Sequence, residues 1–438
     1  MDQILKPDLT IMRVLSKRKI SGAAYRMIKY VVEKEVEEGH LLFNTFTKEL
    51  LLLTREEYHD RLENEYLRSN WFVVPQQIDE REFVELTRSI IRSLQKNYIS
   101  SYTILTTTDC NARCFYCYER GCAKVTMDEE TAQKTADYII KNCAGHKVWI
   151  TWFGGEPLCN MQVIDTISKR LQEAGVPYGS KIYSNGYLFD RDAAEKAAGL
   201  WNLRSLHISL DGTETVYNKV KAYIHKDGSA YQRVLKNIEG LLAVGIGVTV
   251  RLNVDLYNAD NMMELVDELT ARFGGRKGID VYVTPIYDES KPQTERYSEE
   301  NLKRLYEKLQ KIKDKIEAGL TYSKFSKLDV KVALSCCMAD DDHATIVMPD
   351  GNLTPCNHVG EYIGHVASPE RDEKLIASWK EPLEQIPECQ DCVLYPNCIK
   401  LKKCTNPVAC VGELRALKRR NIETGMLKEL EPWKNKVL

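Results

Sequence analysis

The sequence predicts an α/β chain: a partial (β/α)6 barrel, preceded by a small α+β unit and followed by a cysteine-rich segment. Three observations carry this. From about residue 100 to 318, short β-type runs alternate with longer helical patterns. The chemically unusual residues of that stretch fall where the β-type runs end. The 14 cysteines lie mostly in two groups, one directly after the first run and one near the C-terminus.

The alternation begins with "SYTILTTT" (101–108), which leads to a helix near 129–142 opened by a capping-box pattern, Thr126 to Glu129. "KVWITWF" (147–153) precedes a helix near 161–174, and "SKIYS" (180–184) precedes one near 190–200. "RSLHISL" (204–210) leads to a helix near 230–244. "GVTVRLNV" (247–254) and "IDVYVTPIY" (279–287) complete six strands, with helices near 259–272 and 298–318. Such alternation implies a parallel sheet with right-handed crossovers. No Gly-x-Gly-x-x-Gly follows any strand, which removes the usual reason to choose a doubly wound sheet. A curved, partial barrel suits the count, and in barrels the working residues sit at strand ends. Those positions hold Cys110, Cys114 and Cys117 after the first strand, and Gly154, Gly155 and Glu156 after the second. Ser184 and Asn185 follow the third, Ser209 and Asp211 end the fourth, and Arg251 and Asn253 lie late in the fifth.

Three domains follow: 1–98, 99–318 and 319–438. In the first, "MIKYVVEKEVEE", "GHLLFNTF" and "KELLLLT" suggest two or three short strands, with helical patterns near 55–67 and 80–96. The last has short strands in "ATIVMPDGNLTPC" and then a stretch with little apolar periodicity, which bound metal would have to organise.

A formal charge of −2 points to neither nucleic acid nor an anionic membrane surface. The N-terminus lacks the apolar run of a secretory signal, and no stretch approaches the ~20 apolar residues of a membrane span. The expected location is cytoplasmic, where thiols stay reduced, so the cysteines read as metal ligands rather than disulfides. Cys110-x3-Cys114-x2-Cys117 offers three thiolates from one loop. Structural zinc would need a fourth ligand, Cys122 or a distant one, whereas a cubane cluster can use three and leave one iron open. Cys122, Cys143 and Cys159 fit no ligand pattern and read as small buried hydrophobes. The histidines show no metal-type pairing, and no Ser/His/Asp set argues for hydrolysis.

The cysteine spacing, with Tyr116 just before the third thiol, resembles the signature of the radical S-adenosylmethionine (SAM) superfamily. "GGEP" (154–157), "YSNG" (183–186) and "SLDG" (209–212) follow consecutive strands and resemble that family's SAM-binding strand ends. The resemblance covers about residues 100–318. It implies a [4Fe–4S] cluster on Cys110, Cys114 and Cys117, with Gly154, Gly155 and Glu156 at the SAM amino group. Ser184, Asn185, Ser209, Asp211, Arg251 and Asn253 would complete the SAM site. Where peptide-modifying relatives often carry His-Asp-x-x-Arg, this chain has "YNKVK" (217–221), so Lys221 stands where an arginine would meet the SAM carboxylate. Lysine keeps the charge and loses the bidentate fork; a solvated helix-flank lysine is the alternative.

The C-terminal cysteines resemble the SPASM domain, a seven-cysteine extension that binds two auxiliary [4Fe–4S] clusters. Carried over by position, the first would use Cys337 (or Cys336), Cys356 and Cys404, and the second Cys389, Cys392, Cys398 and Cys410. Cys398 and Cys404 are separated by five residues where the family usually has three. The fourth ligand of the first cluster is thus Cys404, a substrate thiolate, or absent. A pair of zinc sites is the alternative for this region.

SPASM-bearing relatives mostly act on peptides and proteins. The resemblance implies that a 5′-deoxyadenosyl radical from SAM takes a hydrogen from a substrate carbon, with electrons supplied by a reductant such as flavodoxin or ferredoxin. Residues 1–98 resemble the winged-helix element that captures the leader of a ribosomally made precursor peptide as an added strand. The reading reached is a peptide maturase that joins a cysteine sulfur to a carbon as a thioether. Carbon–carbon crosslinking and formylglycine formation on a sulfatase are alternatives, and a zinc-organised binding protein is the non-enzymatic one. Against formylglycine formation stands Asn357, which follows Cys356 where sulfatase-maturating enzymes carry an aspartate; an amide cannot act as a base near neutral pH.

Overall fold

The structure, a computed structural model, describes residues 1–16, 21–22, 24–93, 98–225, 227–286, 298–322, 328, 337–358, 360–382, 389, 391–398, 401–404 and 410–437. Six strands come first: β1 (Asp2–Leu5), β2 (Tyr25–Met27), β3 (Val31–Val36), β4 (Gly39–Asn44), β5 (Leu50–Leu53) and β6 (Val73–Pro75). An antiparallel sheet runs β1-β5-β4-β3, and β2 pairs with β6 apart from it. The near-continuous apolar runs of β4 and β5 follow from burial on both faces. One face packs Leu41, Phe43, Leu50 and Leu52 against Met426 and Leu430 of helix Gly412–Val437. The other packs Leu42, Leu51 and Leu53 against Leu67, Phe72 and Val73.

The central sheet is formed by β7 (Ser101–Leu105), β8 (Val148–Phe153), β9 (Tyr178–Ser184), β10 (Leu203–Leu210), β11 (Gly247–Val254) and β12 (Ile279–Pro285). They pair in sequence order and all in parallel. This is the partial barrel, with helices between successive strands. Helix Met161–Glu173 shows how they attach: Val163, Ile164, Ile167 and Leu171 recur at helical spacing and are all buried. The edge beside β7 is extended by β13 (Ala344–Val347), in parallel, and then by β14 (Asn352–Thr354) and β15 (Gly364–His365). Every barrel strand thus ends on the rim that carries the unusual residues. Among the described residues, no helix is long and apolar enough to cross a membrane.

The differences from expectation are local. Helix Glu129–Asn142 is capped by Asp128, whose side chain accepts from the Thr131 N–H, rather than by Thr126. The Thr126 hydroxyl instead meets the Thr107 hydroxyl at 2.8 Å, which ties the two ends of the cysteine loop together. Helix Glu214–Lys221 fills a stretch with no expected element. The C-terminal segment holds a long helix, Gly412–Val437, despite its weak periodicity. Its apolar residues are spread around it because it contacts β1, β3 and helix Glu299–Gly319 together.

Candidate active site

The loop after β7 is held from below by the end of β8. The Gly155 N–H donates to Thr107 O (3.0 Å) and the Glu156 N–H to Asp109 O (2.9 Å). This close approach is what the two glycines permit. Gly154 has φ +128°, and a Cβ there would stand 2.1 Å from Thr107 O; one on Gly155 would stand 2.3 Å from Asp109 O. Gly155→Ala is therefore expected to push the loop outward at a cost of about 1–3 kcal/mol. A thermal melt of the anaerobic protein, with iron counted per chain, checks this; an unchanged melt and iron content would exclude it.

Cys110, Cys114 and Cys117 stand on this loop, partly buried. Burial, with the Glu156 charge adding to it, pushes the Cys110 thiol up to about 12. Burial likewise raises Cys114 and Cys117. Metal binding here must therefore displace thiol protons. The three cysteines line a cavity of about 1050 Å³, spacious enough for a nucleoside cofactor and a substrate side chain together. Gly154, Gly155, Ser184, Asn185 and Ser209 line it too, as do Tyr116, Lys221, Arg251 and Asn253.

Glu156 and Asp211 do not line the cavity; both are fully buried beneath it. Glu156 accepts from the Ser184 hydroxyl (2.8 Å) and from the backbone N–H groups of Asn185 (2.8 Å) and Leu158 (3.1 Å). It joins the ends of β8 and β9, and burial raises its carboxyl to about 7. Asn185 donates through its side chain to Asn111 Oδ1 (2.6 Å), inside the cysteine loop. Asp211 accepts from the Tyr116 hydroxyl (2.9 Å) and from Asn253 Nδ2 (2.9 Å), and Lys221 Nζ lies 2.9 Å from its other oxygen. Lys221 is thus no solvated lysine. Burial is the largest influence and opposes its charge, but Asp211, Tyr116, Cys114 and Tyr217 together outweigh it and hold the pKa well above the ordinary lysine value.

The C-terminal cysteines separate into two places. Cys337, Cys356 and Cys404 line the same cavity as the β7 loop. Cys389, Cys392, Cys398 and Cys410 do not line it; they lie by one another, so that after burial their mutual charges raise Cys389. Arg415 Nη1 donates to Cys410 Sγ (3.5 Å) and Lys418 Nζ to Cys398 Sγ (3.6 Å). This second group docks on the N-terminal unit: Asn397 Nδ2 donates to Thr45 O (2.9 Å), and Tyr395 stacks on Tyr30. Cys336 lies outside the described residues. Cys143 is buried as expected, whereas Cys159 and Cys122 are exposed, and Cys122 lines the cavity.

Sequence reasoning missed Tyr118 and Glu119. Asn357 Nδ2 donates to the Tyr118 hydroxyl (2.9 Å), which donates to Glu119 Oε1 (3.3 Å). Burial raises the Glu119 carboxyl to about 7. Nothing in sequence distinguishes Glu119 from the other acidic residues; only the fold links it, through Tyr118, to Asn357.

The donor set suits a sulfur-ligated iron cluster: three thiols on one loop, at a cavity, on backbone that admits no Cβ beneath it. Among the described residues, no three His, Cys, Asp or Glu side chains converge closely enough to hold a single metal ion. Residues 104–272 match the family model described as the radical SAM superfamily. The chain carries a radical SAM domain. The cysteine loop, Gly154 and Gly155 fall within the matched residues. No curated protein matches in sequence. Among solved structures, the fold is similar to the anaerobic sulfatase-maturating enzyme anSMEcpe with bound AdoMet (14% identity, TM-score 0.57, covering 76% of this chain and 98% of that one). It is also similar to native anSMEcpe with AdoMet and the Cp18Cys peptide (15%, TM-score 0.55, 77% and 100%). A third is Streptococcus suis SuiB bound to precursor peptide SuiA (14%, TM-score 0.52, 85% and 94%). Identities this low carry the fold alone.

Proposed function

We propose that this radical SAM enzyme modifies a ribosomally synthesised precursor peptide, forming cysteine sulfur-to-carbon thioether links. The observation that carries the reading is the shared cavity: Cys110, Cys114 and Cys117 line it on one side, and Cys337, Cys356 and Cys404 line it as well. A radical formed on one side and a thiolate held on the other would then meet over one bound peptide. The anSMEcpe and SuiB structures bound to peptides are consistent with a peptide substrate.

In this reading the cofactors are SAM and three [4Fe–4S] clusters, one on the β7 loop and two on the C-terminal cysteines. When bound, they supply the 5′-deoxyadenosyl radical that removes a substrate hydrogen, and the protein positions the reactants and excludes water. Gly154 and Gly155 offer backbone to the SAM ammonium, and Ser184, Asn185, Ser209 and Asn253 surround the remainder. Residues 1–98 receive the leader; among the described residues β1 and β3 are the edges of their sheet, and an edge strand can accept an extended peptide through main-chain hydrogen bonds. A flavodoxin or ferredoxin would deliver electrons, in the cytoplasm.

Asn357 supports thioether formation over aldehyde formation, since its amide cannot take a proton. Glu119 favours a second reading, because it places a carboxylate on the same cavity where Asn357 supplies none. The test is mass spectrometry, before and after alkylation, of a Cys-rich peptide encoded beside the gene and treated with enzyme, SAM and dithionite. The expected product has lost two hydrogens per link and masks one thiol. A hydrazine-reactive aldehyde would establish the formylglycine reading, and the same mass loss with a free thiol would establish carbon–carbon linkage.

A further inference from the structure

We propose that Lys221 is a positioning residue that clamps the cysteine loop, and that Arg251 supplies the cation for the carboxylate of bound SAM. This rests on the SAM site proposed above and reverses the role that the motif position implies for Lys221.

An ammonium has three N–H donors and no more. Lys221 Nζ has three acceptors around it: Ser209 Oγ at 2.6 Å, Tyr116 Oη at 3.3 Å and Asp211 Oδ2 at 2.9 Å. Two of its donors are hydrogen-bonded, to Ser209 and Tyr116, and its charge is met by the Asp211 carboxylate, whose Oδ2 makes no hydrogen bond among the described residues. Its side chain is 3% exposed and that of Asp211 0%, so separating the pair would strand a buried carboxylate. Tyr116 sits between Cys114 and Cys117, and its hydroxyl also accepts from Asn253 Nδ2 (3.1 Å). The Lys221 side chain thereby pins the far half of the loop to β10 and β11.

The backbone at Lys221 pins the near half. Helix Glu214–Lys221 stops at Ala222, which adopts the left-handed conformation at φ 44°. A non-glycine residue there is strained, and the turn it makes aims backbone groups at the loop. The Arg113 N–H donates to Lys221 O (2.8 Å) and the Ile224 N–H to Asn111 O (2.9 Å). The backbone of Lys221 and Ile224 thus holds the segment between Cys110 and Cys114.

Arg251 has the opposite character. It lies beside Ser209 in the β10–β11 register and lines the cavity. Its Nε is buried without a hydrogen-bond partner among the described residues. A guanidinium with free donors facing a cofactor-sized cavity suits a carboxylate, which it can grip with two parallel hydrogen bonds.

The test compares SAM with decarboxylated SAM on the anaerobically reconstituted full chain. It reads the dissociation constant of each ligand and the electron paramagnetic resonance of the reduced cluster before ligand is added. Arg251→Met is expected to weaken SAM by about tenfold or more while sparing decarboxylated SAM, because a charge-assisted hydrogen bond is lost. Lys221→Met is expected to weaken both ligands alike and to change the ligand-free spectrum. Lys221→Met/Asp211→Asn removes both buried charges, so it is expected to recover the spectrum and keep the wild-type preference for SAM; this variant carries the comparison if the single one does not fold. A Lys221→Met enzyme, or failing that the double variant, that loses affinity for SAM alone, with an unchanged spectrum, would make Lys221 the carboxylate ligand and overturn the proposal. Equal weakening of both ligands by Arg251→Met would overturn its second half. Wild-type enzyme that binds neither ligand would instead overturn the SAM site itself.

Discussion

Cys117→Ala is expected to abolish the reductive cleavage of SAM and to lower iron by about one third, leaving the proposed C-terminal clusters in place. The β7 loop and the C-terminal cysteines belong to separate stretches of chain, and Cys389, Cys392, Cys398 and Cys410 lie away from the cavity altogether. With one thiolate removed, the loop retains two partly buried thiols, too few to hold a cubane with one open iron. The measurement is 5′-deoxyadenosine production beside iron and sulfide content in reconstituted protein. Undiminished 5′-deoxyadenosine would contradict the assignment of the loop, and loss of all iron would contradict the separation of the sites.

Asp340→Ala is expected to be the most damaging substitution outside the cavity. Asp340 is fully buried between Arg88 Nη2, at 2.7 Å, and the Arg92 guanidinium. Both arginines belong to helix Glu80–Ser93 of the N-terminal unit, while Asp340 closes the short turn Met338–Asp340 that follows Cys337. The carboxylate therefore fastens the N-terminal unit to a cysteine of the cavity. Removing it takes the 2.7 Å carboxylate away from Arg88, 4% exposed, and leaves Glu85 Oε1 at 3.9 Å from that buried charge, a change that costs about 3–5 kcal/mol. Arg88→Met combined with Asp340→Ala removes both charges and is expected to recover part of that loss. Urea unfolding of the full chain reads the effect, and an unshifted midpoint for Asp340→Ala would contradict it. The same joint means that deleting the N-terminal unit would disturb more than a leader-binding edge. With Tyr395 stacked on Tyr30 and Asn397 bonded to Thr45, its removal would also strip the second cysteine group of its support.

The barrel was legible because its β-type runs alternate with helical stretches, as in helix Met161–Glu173, whose apolar residues form one stripe. Helix Met161–Glu173 and strand β11 lie where their patterns put them. Helix Glu214–Lys221 was not legible: it spans 8 residues, and its β-branched Val216 and Val220 weaken the helical signal. The long C-terminal helix escaped for a different reason, since a helix packed on several sides shows no single stripe. Within the site, residue types could be read but their bonding could not. Ser184, Asn185, Ser209 and Asp211 stood out as strand-end polar residues, yet Ser184 is committed to Glu156 and Asp211 to Lys221. Glu119 was invisible for the same cause: its link to Asn357 depends on the Asn357–Tyr118 contact, which spans 239 positions of sequence, and no local pattern encodes it.

The central claim is that a radical generated at the β7 loop acts on a peptide lying in the cavity shared with Cys337, Cys356 and Cys404. Its most direct measurement is isotope transfer. A Cys-rich precursor peptide found beside the gene is made with deuterium at all its carbon-bound positions and incubated anaerobically with reconstituted enzyme, SAM and dithionite, and the 5′-deoxyadenosine is then weighed. One deuterium gained by 5′-deoxyadenosine, together with a thioether at the carbon that lost it, is the predicted result. A modified peptide with no deuterium in 5′-deoxyadenosine, or 5′-deoxyadenosine formed while the peptide stays unchanged, would contradict it.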